Sequence, residues 1–114
     1  MTDAALTTTA ATSVRLIPIL EAKRGFEQKL ALLLADLEAA SRRDSGCVDY
    51  TIFRQDGSSS VFVLHEEWTS AEALQAHNEQ PHVTEFLAAA EPLMTRGLTV
   101  YRPAPPVPAG TVRP

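Results

Sequence analysis

Along residues 14–102 the apolar positions switch between a two-residue and a three-to-four-residue period, and each switch marks an element. Residues 14–22 (VRLIPILEA) place Leu16, Pro18 and Leu20 on one face of a strand and Ile17 and Ile19 on the other. Apolar residues on both faces predict a strand covered from both sides. Pro18 has no N–H to give a ladder, which predicts a bulge or a locally unpaired edge there. After a Lys23-Arg24-Gly25 turn, Leu30, Leu33, Leu34 and Leu37 recur at i, i+3, i+4 and i+7 and predict a helix over 26–42. That helix stops before Asp44-Ser45-Gly46.

Residues 47–54 (CVDYTIFR) alternate. Val48, Tyr50 and Ile52 form one predicted face; Cys47, Asp49, Thr51 and Phe53 form the other. The Asp-Gly and serine run over 55–60 is a hairpin connection, and 61–68 (VFVLHEEW) is the returning strand. Phe62, Leu64, Glu66 and Trp68 share one face of it; Val61, Val63, His65 and Glu67 share the other. Thr69-Ser70-Ala71-Glu72 matches a capping box with Thr69 as N-cap. A short helix to about Asn78 then turns Ala73, Leu74 and His77 inward. Pro81 opens a further helix whose stripe is Val83, Phe86, Leu87, Ala90 and Met94. Pro92 loosens or ends its last turn, Gly97 closes it, and 98–102 is a last short strand.

The order β-α-β-β-α(α)-β predicts an α+β, ferredoxin-like domain: a four-stranded antiparallel sheet with helices on one face. The opposite face still carries Ile17, Ile19, Phe53, Val61 and Val63. A monomer would leave that patch in water, so a homodimer with two sheets face to face is expected, a dimeric α+β barrel.

Composition narrows the function classes. The chain has 114 residues, 45% hydrophobic and 21% charged, which is one packed domain rather than a disordered chain. Ten basic and fourteen acidic residues give a net charge of −4, with no basic run, so nucleic acid is not an expected partner. A single cysteine, Cys47, excludes an internal disulfide and a multi-cysteine metal site. No apolar run reaches the roughly 20 residues of a membrane span. A cytoplasmic protein is expected, with residues 13–102 as the domain. Residues 1–12, rich in Ala and Thr, read as a disordered tail and a poor signal peptide. Residues 103–114, dense in proline, read as an extended tail.

The candidate chemistry gathers on the helix side. Glu66 and Trp68 stand two apart on a strand and so point the same way. His77 lies on the inward stripe of the next helix, and Tyr50 comes from the neighbouring strand. A carboxylate, an imidazole, an indole and a phenol would converge among Phe62, Leu64 and Phe86, an apolar wall with a few polar groups. His77 is the candidate base, with Glu66 orienting it. A satisfied structural Glu-His hydrogen bond is the competing reading. Trp68 is read as core or pocket wall, His65 as facing the dimer side, His82 as a solvated first-turn residue, and Cys47 as a small buried residue. His77 and His82 lie five apart across a proline turn and spacing supplies no third ligand, so no metal site is predicted.

Several short motifs carry a resemblance: Gly25 after the first strand; Ser45-Gly46-Cys47-Val48-Asp49-Tyr50; Leu64-His65-Glu66-Glu67-Trp68; Ala76-His77-Asn78; Pro81-His82-Val83; and Phe86. In this order and spacing the chain, over residues 14–101, resembles the antibiotic-biosynthesis monooxygenase family of dimeric α+β barrels. The resemblance implies oxidation of a small phenol- or hydroquinone-like metabolite by O2, with no metal, flavin or haem cofactor. His77 and Glu66 would then be catalytic, and Trp68, Tyr50, Phe62, Leu64 and Phe86 would contact substrate. Related oxygenases often carry an asparagine where this chain has Pro18. The Glu66-Trp68-His77 set is similar to members that act on small hydroxy-carbonyl compounds by proton transfer. A non-catalytic dimeric small-molecule binder is the alternative from another class.

Overall fold

The computed structural model describes residues 13–106; the expectations for residues 1–12 and for the end of the proline-rich segment lie outside these. Strands β1 (Val14–Glu21), β2 (Cys47–Arg54), β3 (Val61–Trp68) and β4 (Thr99–Tyr101) form one antiparallel sheet in the order β2-β3-β1-β4. Helices α1 (Glu27–Ser41), α2 (Ala71–Asn78) and α3 (Pro81–Ala90) cover one face, and a 3-10 turn, Glu91–Leu93, follows α3. This is the ferredoxin-like arrangement that the periodicity predicts.

The core forms where the predicted stripes meet. Leu16 and Leu20 of β1, Tyr50 of β2, and Phe62, Leu64 and Trp68 of β3 are buried against Leu30, Leu34 and Leu37 of α1 and Val83, Phe86 and Ala90 of α3. Pro92 sits at the start of the 3-10 turn, where its missing N–H costs nothing.

Two local predictions are corrected and one is narrowed. Of the two outcomes expected at Pro18, the structure shows the local loss of pairing and not the bulge. β1 is an inner strand, and the pairing with β3 keeps one register from Val14↔Trp68 to Glu21↔Val61, lapsing only across Ile17 and Pro18. Proline there deletes a donor without shifting the strand. The bulge lies in β2 instead: Cys47 pairs with Trp68 and Asp49 with Glu67, so Val48 is the extra residue. A bulge reverses the facing of the residues before it. Cys47 therefore packs against the core and Val48 is exposed, the reverse of simple alternation. The N-cap of α2 is Ser70, not Thr69: Ser70 Oγ accepts from the Ala73 N–H at 3.1 Å. Thr69 is engaged one step earlier, its N–H donating to the Gly46 carbonyl at 2.9 Å.

That last bond joins β3's exit to the α1–β2 loop. Gly46 adopts φ +82°, and a Cβ there would lie 2.5 Å from Ala73 Cβ and 2.8 Å from Thr69 Oγ1. Only glycine lets the loop lie this close to the start of α2. The loop also carries Asp44, whose N–H donates to the Ser41 carbonyl and whose carbonyl accepts from the Cys47 N–H. The outer edge of β2 is clamped by α1: the Ile52 N–H donates to Glu38, and Arg42 Nε donates to the Tyr50 carbonyl. These contacts satisfy edge groups that would otherwise template further pairing.

Candidate functional site

β2, β3 and α2 bring Tyr50, Glu66, Trp68 and His77 together as the alternation predicts. Trp68 is completely buried, and its indole lies against the His77 ring with centroids 4.3 Å apart and planes tilted by 34°. Tyr50 stands edge-on to Trp68 at 6.4 Å and lies 5.6 Å from His77. A cavity of about 90 Å3 opens beside them, lined among others by Pro18, Tyr50, Leu64, Glu66, His77 and Phe86. Exposed Asn78, Leu87 and Leu98 form its rim.

The hydrogen bonds differ from the predicted Glu-His pair. Glu66 Oε1 accepts from Trp68 Nε1 at 3.0 Å. His77 Nδ1 is instead 2.7 Å from Asp44 Oδ2. The carboxylate that orients His77 thus comes from the α1–β2 loop, 33 residues away in sequence. Asp44 accepts from the Nδ1–H, which leaves Nε2 as the basic nitrogen of a neutral ring.

Burial sets the electrostatics. It pulls the His77 imidazole below its ordinary value against the opposing pull of Asp44, favouring the neutral ring. It pushes Glu66 upward, with the indole bond opposing. Tyr50 is driven strongly upward, first by burial and then by the Glu66 charge, so its phenol stays protonated. Cys47 is also raised, by burial and by neighbouring carboxylates, which keeps it a thiol rather than a nucleophilic thiolate.

Two predicted wall residues fall elsewhere. Phe62 lies toward the other end of the sheet, with Ala31, Leu34 and Ile52, and carries the Arg54 guanidinium 4.8 Å above its ring. Trp68 backs His77 and holds Glu66 rather than lining the cavity. Leu64, Tyr50 and Phe86 do line it. His65 faces the open side of the sheet as predicted and lies 2.5 Å from Asp49.

Sequence reading missed Asp44 and the position of His82. His82 Nε2 lies 2.8 Å from the same Asp44 oxygen, and the three ligand atoms of Asp44, His77 and His82 fall within 4.8 Å of one another. Spacing offered no third ligand for the two histidines; the fold supplies one. An Asp before a Ser-Gly stop was visible, but only as a helix terminator.

The model of the antibiotic biosynthesis monooxygenase family matches residues 14–89. Among solved structures, the chain is similar to PA3566 from Pseudomonas aeruginosa, at 26% identity and a TM-score of 0.79, covering 86% of this chain and 98% of that one. It is equally similar to Rv0793 from Mycobacterium tuberculosis, at 26% identity and a TM-score of 0.79, covering 86% and 99%. A variant of SnoaB, described as a cofactor-independent oxygenase from Streptomyces nogalater, is 21% identical with a TM-score of 0.69 over 80% of this chain and 92% of that one, a likeness of fold alone. No curated protein matches the chain.

Proposed function

The chain belongs to the antibiotic biosynthesis monooxygenase family, and from that premise we propose that it oxidises a small phenol- or hydroquinone-like compound with O2, using no metal, flavin or haem. The observation that carries this reading is the His77 ring held by Asp44 at the wall of a cavity that Glu66 and Tyr50 also line. A scaffold would fill that space with Phe86 and Met94; instead three ionisable groups, Tyr50, Glu66 and His77, border an opening.

In this reading the substrate hydroxyl gives its proton to His77 Nε2, and Asp44 stabilises the imidazolium that forms. Glu66, whose carboxyl is pushed upward by burial, lines the same cavity and stands to hydrogen-bond a second substrate oxygen. The electron-rich anion then forms a carbon–oxygen bond with O2. One oxygen remains as a ring carbonyl and the other leaves as water with the two hydrogens lost from the substrate, which balances phenol plus O2 against quinone plus water. Apolar walls from Leu20, Leu64 and Phe86 exclude water.

A second reading has one specific observation in its favour. The cavity's 90 Å3 equals about three waters at roughly 30 Å3 each. Pro18 forms part of its wall where an amide would suit an oxygen species. Both favour a compact hydroxy-carbonyl substrate, with His77 and Glu66 moving a proton between adjacent carbons.

The open sheet face is proposed as the seat of a second copy. Ile19, Val63 and Phe53 form a cross-strand row there, and Phe53 and Tyr101 are more than half exposed.

Oxygen uptake with a panel of single-ring phenols, hydroquinones and hydroxy-carbonyl compounds tests the choice. Oxidation predicts one O2 consumed per quinone formed, with large losses in His77→Ala and Glu66→Gln. Solvent deuterium entering a hydroxy-carbonyl compound without O2 uptake would select proton transfer. Turnover unchanged in both variants would remove the site assignment.

A further inference from the structure

We propose that Asp44, His77 and His82 bind a divalent transition-metal ion of the zinc class, and that its binding switches off the base at His77. The coupling to catalysis rests on the base role proposed above; the binding site does not.

Three features argue for a cation. The ligand atoms are of the right kind and close: Asp44 Oδ2 lies 2.7 Å from His77 Nδ1 and 2.8 Å from His82 Nε2, and one ligand atom from each residue falls within 4.8 Å of the other two. Two imidazoles and one carboxylate suit zinc and its neighbours, whereas magnesium and calcium prefer oxygen throughout. The ligands come from three separate segments, the α1–β2 loop, α2 and the first turn of α3, and Gly46 and Pro81 fix how these meet. Lastly, there is an approach. A groove of about 260 Å3 between α1 and α3 is lined by His82 together with Asp36 and Glu85. His82 is one-quarter exposed, while His77 is almost wholly buried. A cation in this groove has the Asp36 and Glu85 carboxylates and the part-exposed His82 within the same lining, and three protein ligands leave a fourth position for water.

The consequence follows from imidazole chemistry. A metal on Nδ1 takes the lone pair there, so a neutral His77 ring must carry its proton on Nε2. With Nδ1–H held by Asp44 in the metal-free state, Nε2 is the acceptor. In the metal-bound state it is a donor and cannot take a substrate proton. The ring remains neutral, and only the position of its proton changes. The ion is therefore a regulator rather than a resident cofactor, and the oxidation needs none.

Calorimetry with Zn2+, and visible absorption with Co2+ as a reporter of coordination geometry, test the site without any substrate. One ion per chain is expected. Losing even an outer-shell group costs roughly 10–100-fold in affinity, so His82→Ala should weaken binding by at least the upper figure. His82 is a partly exposed residue of a helix's first turn, so this variant should fold, and circular dichroism checks it. His65→Ala and Cys47→Ser should bind as the parent does. Binding that is absent, that survives His82→Ala, or that needs His65 or Cys47 overturns the site. Nitrogen NMR of His77 reads the switch: Zn2+ should move the ring proton to Nε2. An unchanged tautomer with the ion bound overturns the switch. This readout needs no turnover, so failure of the oxidation reading cannot be confused with it. Where turnover is found, Zn2+ should inhibit the parent protein and spare His82→Ala.

Discussion

Asp44 Oδ2 lies 2.7 Å from Nδ1 of His77, although 33 residues separate them. The contact sorts the two nitrogens of a buried ring into one that is held and one that is free to act. Glu66 is bonded instead to Trp68 Nε1, at 3.0 Å.

Replacing Asp44 by Asn should lower turnover far more than substrate binding. The Asn amide can offer an N–H to Nδ1, which selects the tautomer with its proton on Nε2 and removes the base. General-base catalysis is worth about 10²–10⁴-fold, so kcat should fall within that range while KM changes little. Steady-state kinetics on the substrate found in the panel checks this. Equal loss in kcat and gain in KM would mean that Asp44 merely shapes the cavity.

Glu66→Gln should gain stability over the parent protein as pH rises. Burial holds the Glu66 carboxyl above its usual value in the folded chain. Its stabilising effect is fully present below the unfolded value, about 4.3, and is lost as pH rises through the raised folded value. Gln keeps an acceptor for Trp68 and never ionises. Urea midpoints at about pH 4 and pH 8 should show little difference at the lower value and an advantage to the variant at the higher. A gap independent of pH would place the Glu66 charge in solvent.

Val63→Glu should leave a folded monomer. Val63 pairs with Ile19 on one side and Phe53 on the other, in the middle of the open face. A carboxylate there would be desolvated without a partner in a two-sheet assembly. Light scattering should find the parent as a dimer and the variant at half its mass, with circular dichroism unchanged. A parent protein that is monomeric at micromolar concentration would leave this face unpartnered.

Gly46→Ala should cost more stability than Gly25→Ala. Both glycines have φ near +85°, at +82° and +90°, where an L side chain is strained by roughly 1–2 kcal/mol. A Cβ at Gly25 meets open space, while at Gly46 it meets Ala73 and Thr69 at 2.8 Å or less. Relieving that clash would move the loop that carries Asp44. Thermal unfolding should rank the two variants, and the His77 NMR signal should shift only for Gly46→Ala. Equal losses would show that the loop gives way freely.

Most of the fold was legible because burial imposes a period on the chain. Of the apolar stripes read from spacing, Leu30, Leu34 and Leu37 on α1 and Val83, Phe86 and Ala90 on α3 are buried, whereas Leu33 is half-buried and Leu87 is exposed at the cavity rim. Alternation likewise placed Glu66 and Trp68 on the helix side. It failed at the start of β2, because a one-residue bulge leaves no mark in the composition of Cys47-Val48-Asp49 yet reverses the facing of what precedes it. The capping box failed for a similar reason. Thr69 and Ser70 are both competent caps, and the Thr69 bond to Gly46 decided between them.

The amino-acid sequence by itself determined the element order, most of the core, the open apolar face and the gathering of Tyr50, Glu66, Trp68 and His77 on the helix side, since each depends on periodicity and chain direction alone. The tertiary structure decided which carboxylate holds His77, that His82 shares it, and that Phe62 stands apart. Those are distances between segments remote along the chain. They depend on how closely the α1–β2 loop lies against α2, which glycine at position 46 permits and no local pattern encodes.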